Sequence, residues 1–139
     1  MSGTIDARLA DLGITLPEPM HAMGSYTPYV RTGNLLWIAG QGPFMDGSMH
    51  YNGTLGDTVS LEDGQACARI VALNIITQAR AALDGDLDRI VRFVKLGGFV
   101  NCTPDFIDQP KVMNGASDVI VEIFGDKGKH ARFAVGAPT

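Results

Sequence analysis

Two helical stripes constrain this chain more than any other feature. From about Leu61 to Leu83, the residues Ala68, Ala72, Ile75, Ile76, Ala79 and Leu83 recur at spacings of three and four. That spacing gathers them into one apolar stripe. Ser60 is a good N-cap, Glu62 and Asp63 sit in the first turn where the helix dipole favours acids, and Asp84-Gly85 stops the element. A second helix, from about Gln109 to Phe124, carries Val112, Met113, Ala116, Val119, Ile120 and Ile123 on one side and Asn114, Asp118 and Glu122 on the other. Two helices with one stripe each are expected to cover one face of a single β-sheet. The other sheet face must then be hidden, and in a chain of 139 residues self-association is the simplest way to hide it.

The strands follow from turn chemistry. Asp6 to Leu12 reads as a short amphipathic helix, within about residues 4–13, ended by Gly13; Leu16-Pro17-Glu18-Pro19 then forbids regular structure. Tyr29 to Arg31 and Leu35 to Ala39 read as strands around the turn Thr32-Gly33-Asn34, and a weak strand is expected near Met49 to Tyr51. Val91 to Asn101 reads as a long strand with Gly97-Gly98 in its middle, where a bulge or a close backbone approach is expected. Arg132 to Val135 reads as the last strand. The expected architecture is α+β, one domain over residues 1–139, with a single mixed sheet in the order β-β-β-α-β-α-β.

Composition narrows the function classes. With 45% hydrophobic and 19% charged residues the chain is not of the disordered type. A net charge of -4 leaves no electrostatic footprint for phosphate backbones, so no nucleic-acid partner is expected; Lys127-Gly128-Lys129-His130-Ala131-Arg132 is a small basic loop. Cys67 and Cys102 lack metal-ligand or redox spacing and read as free thiols. His21, His50 and His130 share no spacing, so no metal is expected. No apolar run approaches the length of a membrane span, and the N-terminus lacks a basic, then apolar, leader pattern. The expectation is a cytoplasmic protein without a membrane partner.

Two places carry chemistry. In Gly33-Asn34-Leu35-Leu36-Trp37-Ile38-Ala39-Gly40-Gln41-Gly42-Pro43, an apolar run stops at a tight loop, and Gly40 there lets the main chain approach a ligand. In Ala131-Arg132-Phe133-Ala134-Val135, a lone arginine sits in a short β-forming run. Period two puts Phe133 and Val135 on one face, expected to be the helix-covered core, and Arg132, Ala134 and Gly136 on the other. An arginine flanked by small residues suits two-pronged capture of a carboxylate; it equally suits an exposed strand position or a salt bridge.

Together these segments resemble the reactive-intermediate deaminases, the RidA or YjgF family, whose members hydrolyse 2-imino and 2-enamino acids to 2-oxo acids. The likeness runs from about Met23 to Val135. Gly24 to Asn34 aligns without a gap with the segment bearing the family's active-site tyrosine, which falls on Tyr26, Ala39-Gly40-Gln41-Gly42-Pro43 with its Ser-Gly-Gln-x-Pro loop, and Ala81 to Val91 with its helix-to-strand passage. Asn114 falls on an asparagine of the second helix and Arg132 on the arginine that binds the substrate carboxylate.

The resemblance implies a chorismate-mutase-like fold and a homotrimer with three clefts between subunits. Tyr26, Gly40 and Arg132 would be the catalytic residues there. Arg132, Ala39, Gly40, Gln41, Asn114 and Ala134 would hold a small carboxylate or imino acid. A protonated imine is already electrophilic, so positioning it and activating one water suffice, and no cofactor is implied. The chain departs from the pattern at Ala39, where a serine is usual, and at Ala134, where a cysteine is frequent. The family pattern also runs past the position of Thr139 into one more strand bearing a glutamate that helps place water, and no residue here stands in for it. These departures keep a second reading open, a trimer that binds a carboxylate metabolite without turnover. A ribonuclease or translation-inhibitor role, attached by name to some relatives, is at odds with the acidic charge.

Overall fold

A computed structural model describes residues 3–138. Its elements, in chain order, are α1 (Thr4–Asp11), β1 (Tyr29–Thr32), β2 (Leu35–Ile38), β3 (Phe44–Met45), β4 (Ser48–Met49), α2 (Leu61–Ala82), a 3-10 turn (Leu87–Arg89), β5 (Lys95–Asn101), α3 (Gln109–Phe124), a second 3-10 turn (Gly125–Gly128) and β6 (Ala131–Ala137). The expected helices form at the expected places. Ser60 Oγ accepts from the Asp63 amide at 3.1 Å, and Gly125, at φ +63°, ends α3 where a side chain would be strained.

α2 and α3 pack along their apolar sides, and Ala72, Ile76, Val119 and Ile120 lie wholly inside. The crossing is close because Gly115 of α3 sits directly against the Gln65 carbonyl of α2. The core beneath is completed by Leu96 and Val100 of β5, with Leu36 and Ile38 of β2 packed against it.

The strands do not make the single sheet expected from the sequence. They form three two-stranded ladders: antiparallel β1–β2 and β3–β4, and parallel β5–β6. Leu55 adds a parallel bridge beside Cys102. The residues Val91 to Val94 are irregular rather than strand, since the 3-10 turn at Leu87–Arg89 precedes them and regular pairing starts only at Lys95, opposite Ala131. Through Gly97-Gly98 the register is unbroken, so the pair marks close approach and not a bulge. A Cβ on Gly97 would strike the Phe133 ring, and one on Gly98 would strike Met113.

β6 faces the opposite way from the sequence expectation. Leu96 pairs with Arg132, and Gly98 with Ala134; Leu96 and Gly98 are buried on the helix side, and Arg132 reaches α3. Phe133 and Val135 therefore face away from the helices, where they are partly exposed. Alternation along a strand fixes which residues share a face but not which face meets the helices. Apolar side chains lie open on both ladders: on β5–β6, Phe99 is 73% exposed and packs edge-on to Phe133 at 5.5 Å, with Lys95 over the Phe133 ring, and on β1–β2, Trp37 is 64% exposed beside open Val30 and Leu35.

α1 is attached at its N-terminus by a residue far along the chain. Asp88 accepts from the Thr4 amide at 2.8 Å (Oδ2) and from the Ile5 amide at 2.9 Å (Oδ1), satisfying two orphan donors of the first turn. Those two bonds hold the Asp88 carboxyl below its ordinary value. A lowered folded pKa means the tie is complete above the ordinary carboxylate range and is lost as pH falls through the lowered value. Relative to their intrinsic exchange rates, the Thr4 and Ile5 amides are therefore expected to lose protection as pH falls below the ordinary carboxylate range, while α2 and α3 stay protected. Asp88→Ala should show the same loss of protection at neutral pH; unchanged protection in that variant would mean that packing of Ile5 and Leu9 alone holds the helix.

Candidate functional site: two clefts on two helices

The first cleft encloses about 150 Å³ between the N-terminal segment and the Gly-Gln-Gly-Pro loop, with Met20, His21, Tyr26, Gly40, Gln41 and Phe44 among its walls. Three buried polar side chains of α2 hold those walls in place. Asn74 Nδ2 donates to the carbonyls of Gly42 (3.0 Å) and Phe44 (2.8 Å). Gln78 Nε2 donates to Met20 O at 2.9 Å, and Thr77 Oγ1 to Pro17 O at 3.0 Å. Buried amides are retained only where such partners exist, so these contacts specify the loop path. Nothing in the apolar stripe points to them; the signal was three polar residues, 74, 77 and 78, clustered on a helix otherwise apolar there.

Of the expected residues, Tyr26, Gly40 and Gln41 line this cleft, and Ala39 precedes it on the loop. The Tyr26 hydroxyl accepts from the Met23 amide at 3.2 Å, which leaves its own hydrogen free to donate. Ala39 is tied by its amide to Pro28 O at 2.9 Å, and its carbonyl accepts from Gln41 Nε2 at 3.1 Å. A Cβ built on Gly40 meets nothing within 4 Å, and Gly40 is not among the positive-φ glycines. The fold of one chain thus makes no demand for glycine there.

Arg132 does not join them. It lines a second cleft of about 260 Å³ with Ser117, Val121, Lys129 and His130. Arg132 Nη1 donates to Ser117 Oγ at 3.0 Å and Nη2 to Pro110 O at 3.2 Å, both on α3. Ser117 Oγ lies 2.9 Å from His130 Nε2, and His130 Nδ1 lies 2.6 Å from Gly128 O. Asn114 is exposed one turn before Ser117, on the stripe 110, 114, 117 and 121, and is not among the residues lining either cleft. Ala134 packs against the core instead of facing a cleft. Ser117 and His130 were not expected from the sequence, although period two does place His130 on the same side as Arg132.

The other chemistry-bearing groups are quiet. Burial pushes the Cys67 thiol up, away from the reactive thiolate. Among the described residues no three His, Cys, Asp or Glu side chains gather into a metal-binding group, and no helix is long and apolar enough to cross a membrane.

The family described as "YjgF/chorismate mutase-like, putative endoribonuclease" matches residues 6–139. The chain belongs to the YjgF family. The YjgF-family chain is 46% identical over 136 residues to Protein TCP17 of Trypanosoma cruzi, covering 97% of this chain and 84% of that one. Among solved structures, Atu1372 of Agrobacterium tumefaciens, a protein described as of unknown function, superposes with a TM-score of 0.89 at 42% identity, over 97% of this chain and 83% of its own. A protein of Shewanella oneidensis MR-1, described as a "putative endoribonuclease", superposes with a TM-score of 0.94 at 38% identity, over 99% and 90% respectively. The mixed α/β fold, with three helices and small sheets, is thus that of the YjgF family.

Proposed function

We propose that this YjgF-family chain hydrolyses 2-imino and 2-enamino acids to 2-oxo acids and ammonia, without a cofactor, in a cleft completed between copies of itself. The observation that carries the reading is the separation of the two clefts. One offers a guanidinium with unspent N–H groups, and the other offers a free tyrosine O–H beside an open glycine backbone. A small amino-acid derivative needs both, its carboxylate at Arg132 and its reacting carbon against Gly40 and Tyr26. The exposed apolar side chains Val30, Leu35 and Trp37 on one ladder and Phe99, Phe133 and Val135 on another support self-association, which would seat one copy's Tyr26 cleft against another's Arg132 cleft.

The test generates the imine enzymatically and measures release of 2-oxo acid and ammonia with and without the protein, because imines also hydrolyse spontaneously. An unchanged rate would end the reading. A second reading, carboxylate binding without turnover, is favoured by the methyl group of Ala39 standing at the loop where a hydroxyl is usual. It predicts saturable binding of a 2-oxo acid with no rate above the control. RNA cleavage has less support, given the net charge of -4.

Two further results are expected. Light scattering at micromolar concentration should give three times the chain mass of 14.8 kDa, and a monomer would sink the shared-cleft proposal. Gly40→Ala should melt like the parent, since its methyl meets open space within the chain, yet bind a 2-oxo acid at least about tenfold more weakly. Equal binding would remove Gly40 from the site.

A further inference from the structure

We infer that Ser117 and His130 form a proton relay beside the carboxylate anchor, with Ser117 touching the attacking water and His130 acting through it. The inference rests on the deaminase reading above and goes beyond it, because neither residue belongs to the expected set.

The hydrogen-bond chain has one polarity. A carbonyl only accepts, so His130 Nδ1, 2.6 Å from Gly128 O, carries its hydrogen. In the neutral ring Nε2 is then bare and accepts the Ser117 hydroxyl at 2.9 Å. Arg132 Nη1 donates to that same serine oxygen at 3.0 Å, favouring negative charge on it. A base, oriented by a third group and bonded to a hydroxyl, is the arrangement that activates oxygen for proton transfer. All three side chains line the one cleft of about 260 Å³. The other charged group there is Lys129, itself 3.3 Å from Asp126, while α3 contributes only Ser117 and Val121.

A carboxylate on the remaining N–H groups of Arg132 leaves the carbon of its protonated imine one bond further on, within a water's reach of Ser117 Oγ. Water attacks that carbon, a C–O bond forms, and the C=N π pair moves to nitrogen. The water proton passes to Ser117 Oγ as the serine proton passes to His130 Nε2. In the resulting carbinolamine the relay runs backwards and delivers this proton to the amine nitrogen. The C–N bond then breaks, the C=O bond forms, and the hydroxyl proton leaves with ammonia as ammonium. Both protonation states keep the same partners, because a charged His130 donates from Nε2 to the serine oxygen that it previously accepted from.

The test compares the parent with His130→Gln, Ser117→Ala and Ser117→Thr, using an enzymatically generated imine for turnover and pyruvate titration for binding. Glutamine can still accept from Ser117 but cannot take its proton. His130→Gln and Ser117→Ala are each expected to lose about 100-fold or more of the protein-dependent kcat, while pyruvate affinity stays within about threefold in His130→Gln, which keeps the Ser117 contact to Arg132. Ser117→Thr should recover most of the rate. The decline of the parent's kcat toward acid should be missing from His130→Gln. Nitrogen NMR of the His130 ring should find hydrogen on Nδ1 and none on Nε2, whether or not turnover is detected. A His130→Gln variant with full rate and an intact acid limb would overturn the relay and leave the deaminase reading standing. Pyruvate binding without any turnover by the parent would overturn both, and a ring protonated at Nε2 alone would overturn the relay.

Discussion

Replacing Arg132 with lysine is expected to weaken 2-oxo acid binding by about 30- to 150-fold, the equivalent of a lost charge-assisted pair worth roughly 2–3 kcal/mol. Charge is retained, so the loss would come from geometry. The guanidinium spends Nη1 on Ser117 Oγ and Nη2 on Pro110 O, and so holds a fixed plane from which its other N–H groups can meet a carboxylate. An ammonium on a flexible stem has neither the plane nor enough fixed donors to do both. The two contacts to α3 are made near the surface, so the melting temperature should fall only slightly. Calorimetric titration beside a thermal melt separates the cases. Parental affinity would place the carboxylate elsewhere, and a large drop in melting temperature would make Arg132 a clamp between β6 and α3.

The largest loss of stability is expected from Gly115→Ala. The added Cβ would collide with the carbonyl oxygen, carbonyl carbon and Cα of Gln65, all of them backbone, so no rotamer change relieves the clash. α2 and α3 would have to move apart along a contact that buries Ala72, Ile76, Val119 and Ile120. Overpacking of this kind costs about 1–3 kcal/mol and more where the neighbour is rigid. A melting temperature lower by on the order of 10 °C is expected. Gly40→Ala is the matched control, since its methyl enters open space. If the two variants melt alike, the helices crossing at Gly115 have more slack than their spacing indicates.

The helices were legible because their spacing writes itself into the sequence: Gln109–Phe124 begins and ends as the stripe and Gly125 require, and Leu61–Ala82 runs from its Ser60 cap. The strands were legible as segments but not as a sheet, because local pattern carries no record of which strands pair. The facing of β6 could not be read at all. Apolar Phe133 and polar Arg132 suggested core and cleft respectively, yet a long arginine on the helix side can reach past the core to α3 while the phenyl ring stays outside. Tyr26, Gly40 and Gln41, grouped in the sequence only by the family resemblance, line one cleft of the fold, whereas Arg132, grouped with them in the same way, lines another. Ser117 and His130 were not legible, since their meeting depends on how tightly the turn Gly125–Gly128 folds α3 back onto β6. Gly128 makes that possible by lying against the Ile120 carbonyl.

Each cleft hangs from a different helix, the first on Asn74, Thr77 and Gln78 of α2, the second on Ser117 of α3. On the proposed reading this divides recognition into two inheritable parts. Side chains such as Met20, His21 and Phe44 can be exchanged to admit larger or smaller substituents, with the carboxylate anchor untouched by the change. A lineage of such proteins is then free to diversify what it accepts while keeping how it grips.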